Sequence, residues 1–189
     1  MTKRKCLCFN KNMKGKFLAF FAIFSLCLLA VSPFLIRIVS AASTATVAAT
    51  VTAQIYSVSV TDGIVAFLTV AQNSTQDTTT GGVNNSQTAT NDGSVAAKFN
   101  IMAANSTGGT GWTLAATAAS ETYTMKSCTA TCDTTPTWTS VGIDPSYATL
   151  VASVGVGSTQ PFDLQVGTPT STTETTQQSI TVTVQAVAP

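Results

Sequence analysis

Histidine is absent from all 189 residues of the chain. That removes the usual general base of a Ser or Cys triad and one of the two common ligand types of a structural zinc site. Charge is scarce too, at 9% of the residues, and most of the bases sit at one end. Beyond residue 41 there is no arginine. The bases there are Lys98 and Lys126, against Asp62, Asp77, Asp92, Glu121, Asp133, Asp144, Asp163 and Glu174, a net charge of −6. Such a chain offers no phosphate-binding face, which argues against nucleic-acid binding and against electrostatic docking on anionic lipid. Helical periodicity is missing as well: no window in this region combines i, i+3, i+4 apolar spacing with a cap and adequate length.

What is present begins with an export signal. The first sixteen residues carry Lys3, Arg4, Lys5, Lys11, Lys14 and Lys16 and no acid. An uncharged run, Phe17 to Ile36, follows, and then the small-residue stretch VSAAS, which places a cleavage site between Ala41 and Ala42. This order predicts a secretory signal over residues 1–41 and one exported domain over 42–189. Twenty apolar residues also suffice to span a bilayer, so a retained anchor at 17–36 is the other reading, and the only membrane contact expected.

Export bears on the cysteines, because thiols oxidise outside the cytoplasm. Cys6, Cys8 and Cys27 lie in the leader, leaving Cys128 and Cys132 in KSCTATCD. Two cysteines without histidine cannot complete a four-ligand zinc site. The three intervening residues are one more than a redox motif has, and no helix start follows. Residues four apart in an extended strand lie about 13 Å apart, too far for a disulfide. The pair is therefore expected as a disulfide closing a turn.

The rest reads as strands. About a third of residues 42–189 are Ser or Thr. From Ala45 to Ile55 the chain alternates, with Val47 and Val51 among the apolar set, and at Tyr56 the parity flips so that Tyr56, Val58 and Val60 become apolar. IVAFLTV, GWTLAAT, TYTMKS, TWTSVGI, QPFDLQV and QSITVTVQAV supply further strands, the last with Ile180, Val182 and Val184 inward. SQTAT and VAAKFNIMA flank NDGS at 91–94, a hairpin signal. NSTQDTTTGGVNNS and GTPTSTTETTQQ read as exposed loops. The expected fold is all-β: a single antiparallel sandwich of eight to ten strands, immunoglobulin-like or jelly-roll-like, behind the N-terminal helix of the leader.

Catalytic candidates are few. Lys98 or Lys126 could act as a base only beside a suitably placed serine, and neither stands in such a setting. Asp133 and Asp144 could form a carboxylate pair if the fold joined them. Asp77, Asn84, Asn85 and Asp92 could offer oxygens to Ca²⁺, but without EF-hand spacing they read as turn residues, and no cofactor is expected. Asn73, Asn84 and Asn105 head N-glycosylation sequons. Trp112 and Trp138 are either core aromatics or a glycan-stacking surface.

The stretch NDGSVAAKFNI…GTGWTLAAT resembles the early part of a WxL domain, a β-rich bacterial surface module. Trp112 and Leu114 match its first Trp-x-Leu motif, while TWTS supplies Trp138 but has Ser140 where the second motif has Leu. The resemblance implies an exported, wall-associated protein with a cell-wall glycan as partner. A looser likeness, resting on STATVAATVTAQIYSVSV, is to secreted fibre-forming sandwiches of prokaryotic surfaces. There the N-terminal strand would either fold back on its own sheet or complete a neighbouring subunit. The expected function is thus non-catalytic: a structural subunit of a surface layer, pilus or matrix fibre, or alternatively a wall-glycan module.

Overall fold

The computed structural model describes residues 44–189. The leader at 1–41, its apolar run and the cleavage site at Ala41 and Ala42 lie outside the described residues. Val51–Pro189 forms one compact unit. Among the described residues there is no helix, and eleven strands build two sheets.

The strands, in chain order, are β1 (Val58–Thr61), β2 (Thr75–Asp77), β3 (Gln87–Asn91), β4 (Ala97–Ala103), β5 (Thr113–Leu114) and β6 (Thr122–Cys128). They continue with β7 (Thr139–Ser140), β8 (Gly142–Ile143), β9 (Ala148–Val154), β10 (Thr159–Gly167) and β11 (Val182–Val187). The larger sheet runs β1-β3-β10-β6-β5, with β2 on β10 and β7 on β6. The smaller is β11-β4-β8, with β9 also on β4. Most pairs are antiparallel; β4–β8 and β5–β6 are short parallel pairs.

Alternation explains the centre of each sheet. In β4, Ala97, Phe99, Ile101 and Ala103 are completely buried, while Lys98, Asn100 and Met102 between them are half-buried. Tyr123 and Met125 of β6 and Phe162, Leu164 and Val166 of β10 join the same apolar cluster. Burying side chains of the Phe, Ile or Leu class contributes about 1.5–3 kcal/mol each, which makes these strands the main source of stability.

Several strands differ from the sequence reading. NDGS does not close a hairpin: β3 and β4 belong to different sheets, and the turn carries the chain from one to the other. Buried Asn91 makes that corner. Its amide donates to the carbonyls of Val95 (2.9 Å) and Val154 (2.8 Å), and its side-chain oxygen accepts the Gly93 N–H. A Cβ on Gly93 would lie 2.3 Å from the Ile55 carbonyl oxygen, so the corner requires glycine. TWTSVGI is likewise divided, β7 pairing with β6 and β8 with β4. IVAFLTV forms no strand, because no neighbouring edge takes its backbone. NSTQDTTTGGVNNS is not wholly exposed: it contributes β2, and Thr78 and Thr79 are buried. From GTPTSTTETTQQ, Thr168 and Pro169 are also buried.

Candidate functional site

Two features stand out: an alternating segment at the start of the described chain that joins no described strand, and an open cleft of mixed polar and apolar lining beside β11. The strand expected over Ala45–Ile55 does not form. All its residues are exposed, with Val47, Val51 and Ile55 at 90%, 96% and 57%. Side-chain alternation favours an extended chain, but a strand exists only where a partner takes its backbone hydrogen bonds. The segment meets the sheets at Ser94, whose hydroxyl donates to the Ala53 carbonyl (3.4 Å) and accepts the Ile55 N–H (3.0 Å), while the Ile55 carbonyl accepts the Ser94 N–H (2.9 Å). The parity change at Tyr56 holds, since Tyr56, Val58 and Val60 pack against the core.

The cleft has a volume of about 990 Å³. Phe162, Leu164 and Val166 of β10 and Met125 of β6 line it, and so do Val182 and Val184 of β11. Among the described residues β11 pairs only with β4, and its other edge carries no strand. Its valines are half-buried, in contrast to the fully buried inner residues of β4 beside it.

The segment Gly63–Val70 also lines this cleft. Val65 and Phe67 pack against the core while Ile64 and Leu68 project outward, 73% and 84% exposed. Among the described residues, the backbone of Val65–Val70 makes no hydrogen bond; the Ile64 carbonyl accepts only the Asn85 amide at 2.9 Å. A second hollow, of about 710 Å³, is lined by Ala66, Phe67, Leu68 and Thr69 as well. These four residues therefore border open space on two sides and are held by side-chain contact alone.

The residues singled out in the sequence fall elsewhere or play other parts. Cys128 and Cys132 form the disulfide, with Cα atoms 5.9 Å apart and Thr131 in the left-handed region at the turn (φ 52°). Trp112 lines the cleft; it is half-buried, its ring centroid 6.5 Å from that of Tyr123, and its indole N–H donates to the Thr172 hydroxyl (3.1 Å). Trp138 is half-buried just before β7 and does not line that cleft. Burial raises the Tyr123 phenol above its ordinary range, and its hydroxyl donates to the Ala104 carbonyl.

The two acids considered as a carboxylate pair have different surroundings. Asp133 accepts the Thr80 N–H (2.7 Å) and hydroxyl (2.8 Å), which lower its pKa, whereas Asp144 is exposed after β8. Glu121 is lowered by the hydroxyl of Thr172 and then by the N–H of Thr173. Asp163, one of the acids of the −6 balance, is buried and accepts from Thr78 (2.7 Å) and Ser86 (2.6 Å). The oxygens considered for Ca²⁺ already have protein donors at Asp77 (the Thr79 N–H and hydroxyl) and at Asn85 (the Gln87 amide). Asn73, Asn84 and Asn105 are all exposed, Asn105 accepting the Leu114 N–H.

The chain was compared with family models, curated proteins and solved structures, and none of them matches it.

Proposed function

We propose that the chain is an exported, non-catalytic structural subunit of a surface layer, pilus or extracellular-matrix fibre. Its two sheets pack as one sandwich, and copies join by strand addition through the N-terminal segment. One observation carries this reading: Ala45–Ile55 has the alternation of a half-buried strand yet joins no strand pair among the described residues, and its valines are exposed. Exposed apolar alternation is an aggregation hazard unless another chain covers it. Strand addition meets both needs, since the backbone gains a ladder and one face gains a core. The leader of residues 1–41 supports export, and the acidic, threonine-rich composition suits the face turned to water.

The wall-glycan reading has less support. Trp112 has its indole N–H engaged by Thr172 and its ring against Tyr123, an arrangement that fixes the side chain within the fold.

The test compares the full chain, expressed with its leader, with a version lacking residues 42–55 behind the same leader. Light scattering and negative-stain microscopy should show oligomers or filaments for the first and monomers for the second. A monomer in both removes the assembly reading, and glycan titration by tryptophan fluorescence then becomes the relevant measurement.

A further inference from the structure

Building on that assembly reading, we infer that the acceptor is the β11 flank of a second copy: Ala45–Ile55 of one chain adds to the free edge of β11 and takes the place of Ile64–Val70, with Val47 and Val51 entering the cleft.

Four observations converge on this site. Among the described residues β11 has a strand on one side only, so its other edge presents a row of backbone donors and acceptors. Beside that edge Val182 and Val184 are only half-buried and line the cleft, at whose bottom Phe162, Leu164 and Val166 lie buried. The segment now contributing Val65 and Phe67 to the cleft has no backbone hydrogen bonds from Val65 to Val70 among the described residues, and Ala66–Thr69 border a second hollow. Its removal therefore breaks no ladder. The incoming segment, by contrast, can form one, and its alternate residues carry the small apolar side chains that the cleft accepts.

The dimensions agree. The eleven residues from Ala45 to Ile55 span about 36 Å when extended, and the six of β11 about 20 Å, so the donor covers the whole free edge with length to spare. Side chains two apart on one face repeat about every 7 Å, the same spacing as Ile180, Val182 and Val184 on the acceptor. Period two also sets the register rule: a slip of one residue would present Thr50 and Thr52 to the apolar floor in place of Val51, so only one parity fits.

Val51 and Ile55 remain exposed, and Val60 is the first residue of the unit to line the cleft. The occupant is a second copy, as the assembly reading requires, arriving with its own solvent-facing segment.

The test is directed cross-linking in the full chain expressed with its leader, with Cys6, Cys8 and Cys27 changed to Ser and the Cys128–Cys132 disulfide kept. One tagged copy carries Val51→Cys and a differently tagged copy carries Val184→Cys; they are mixed under mild oxidation. A parallel mixture uses Thr52→Cys, which lies on the opposite face. The Val51→Cys mixture should give several-fold more hetero-cross-linked dimer than the Thr52→Cys mixture. Equal yields, or none, while filaments still form would overturn the β11 acceptor and leave strand-mediated assembly standing. A bond formed only within single copies carrying both substitutions at high dilution would overturn the second-copy occupant. Loss of filaments from the unsubstituted chain would overturn both.

Discussion

The hydroxyl of Thr78 and the carboxylate of Asp163 meet at 2.7 Å although 85 residues separate them, and both side chains are buried. The same hydroxyl accepts the Leu164 N–H (2.9 Å), and the Thr78 N–H returns a bond to the Leu164 carbonyl (2.9 Å). This small network fastens the chain after β2 to the middle of β10, the strand that forms the floor of the cleft. Thr78→Val keeps the shape but leaves the carboxylate and the Leu164 N–H each short of a partner. A loss of about 2 kcal/mol is expected, read as a lower urea midpoint at unchanged slope. Ser86→Ala, which leaves the Thr78 bond in place, should cost less.

Asn91 is the second polar anchor, because it holds the passage between the sheets. Asn91→Ala removes three hydrogen bonds and leaves the carbonyls of Val95 and Val154 without that donor. The expected cost is about 3 kcal/mol, and thermal unfolding followed by far-ultraviolet circular dichroism measures it.

Acid should weaken the fold through Glu121 and Asp133. Both have folded pKa values below their ordinary values of 4.5 and 3.8, so the unfolded chain binds protons more readily. Their contribution is present above those ordinary values and is lost as pH falls through the lowered folded values. Urea midpoints measured from pH 6 down to pH 2 should therefore drop on the acid side. Glu121→Gln with Asp133→Asn should flatten that drop.

The Cys128–Cys132 disulfide closes a very short ring, so its effect on the unfolded chain is modest. Reduction, or Cys128→Ser with Cys132→Ser, should lower stability by about 2 kcal/mol and leave the far-ultraviolet spectrum unchanged. Collapse of the spectrum would mean that the turn at Thr129–Thr131 organises more of the fold than its ring size implies.

The sequence reveals those strands whose partner faces are set by alternation. VAAKFNIMA and QPFDLQV show their buried sides directly, and the structure buries those sides, whereas Ile180, Val182 and Val184 of QSITVTVQAV are only half-buried. The flip at Tyr56 was equally visible. Pairing was not: NDGS has the chemistry of a tight turn, and nothing local tells whether the next strand returns to the same sheet or crosses to the other. IVAFLTV shows the opposite gap, since strand-forming side chains do not supply a neighbouring edge. β9 is not legible in the sequence because SYATLVASV buries only Leu150 and Val154 fully, too sparse a pattern to read. Thr78 and Asp163 look like loop and surface residues because burial of a polar side chain is decided by a distant partner. The exposed segment and the cleft follow from that same gap. The sequence offers Ala45–Ile55 as a strand, and only the fold shows it outside every described strand while β11 pairs on one side alone among the described residues.

The most direct measurement keeps the segment at full length and changes only its face. Val47→Asp with Val51→Asp places charge on the side expected to enter the cleft and leaves residues 55–189 untouched. Multi-angle light scattering across a concentration series should give a molar mass rising above one chain for the unsubstituted protein and a single-chain mass for the variant, with equal thermal stability of the monomers. Unchanged assembly in the variant, or a monomer throughout for both, would contradict assembly through this segment.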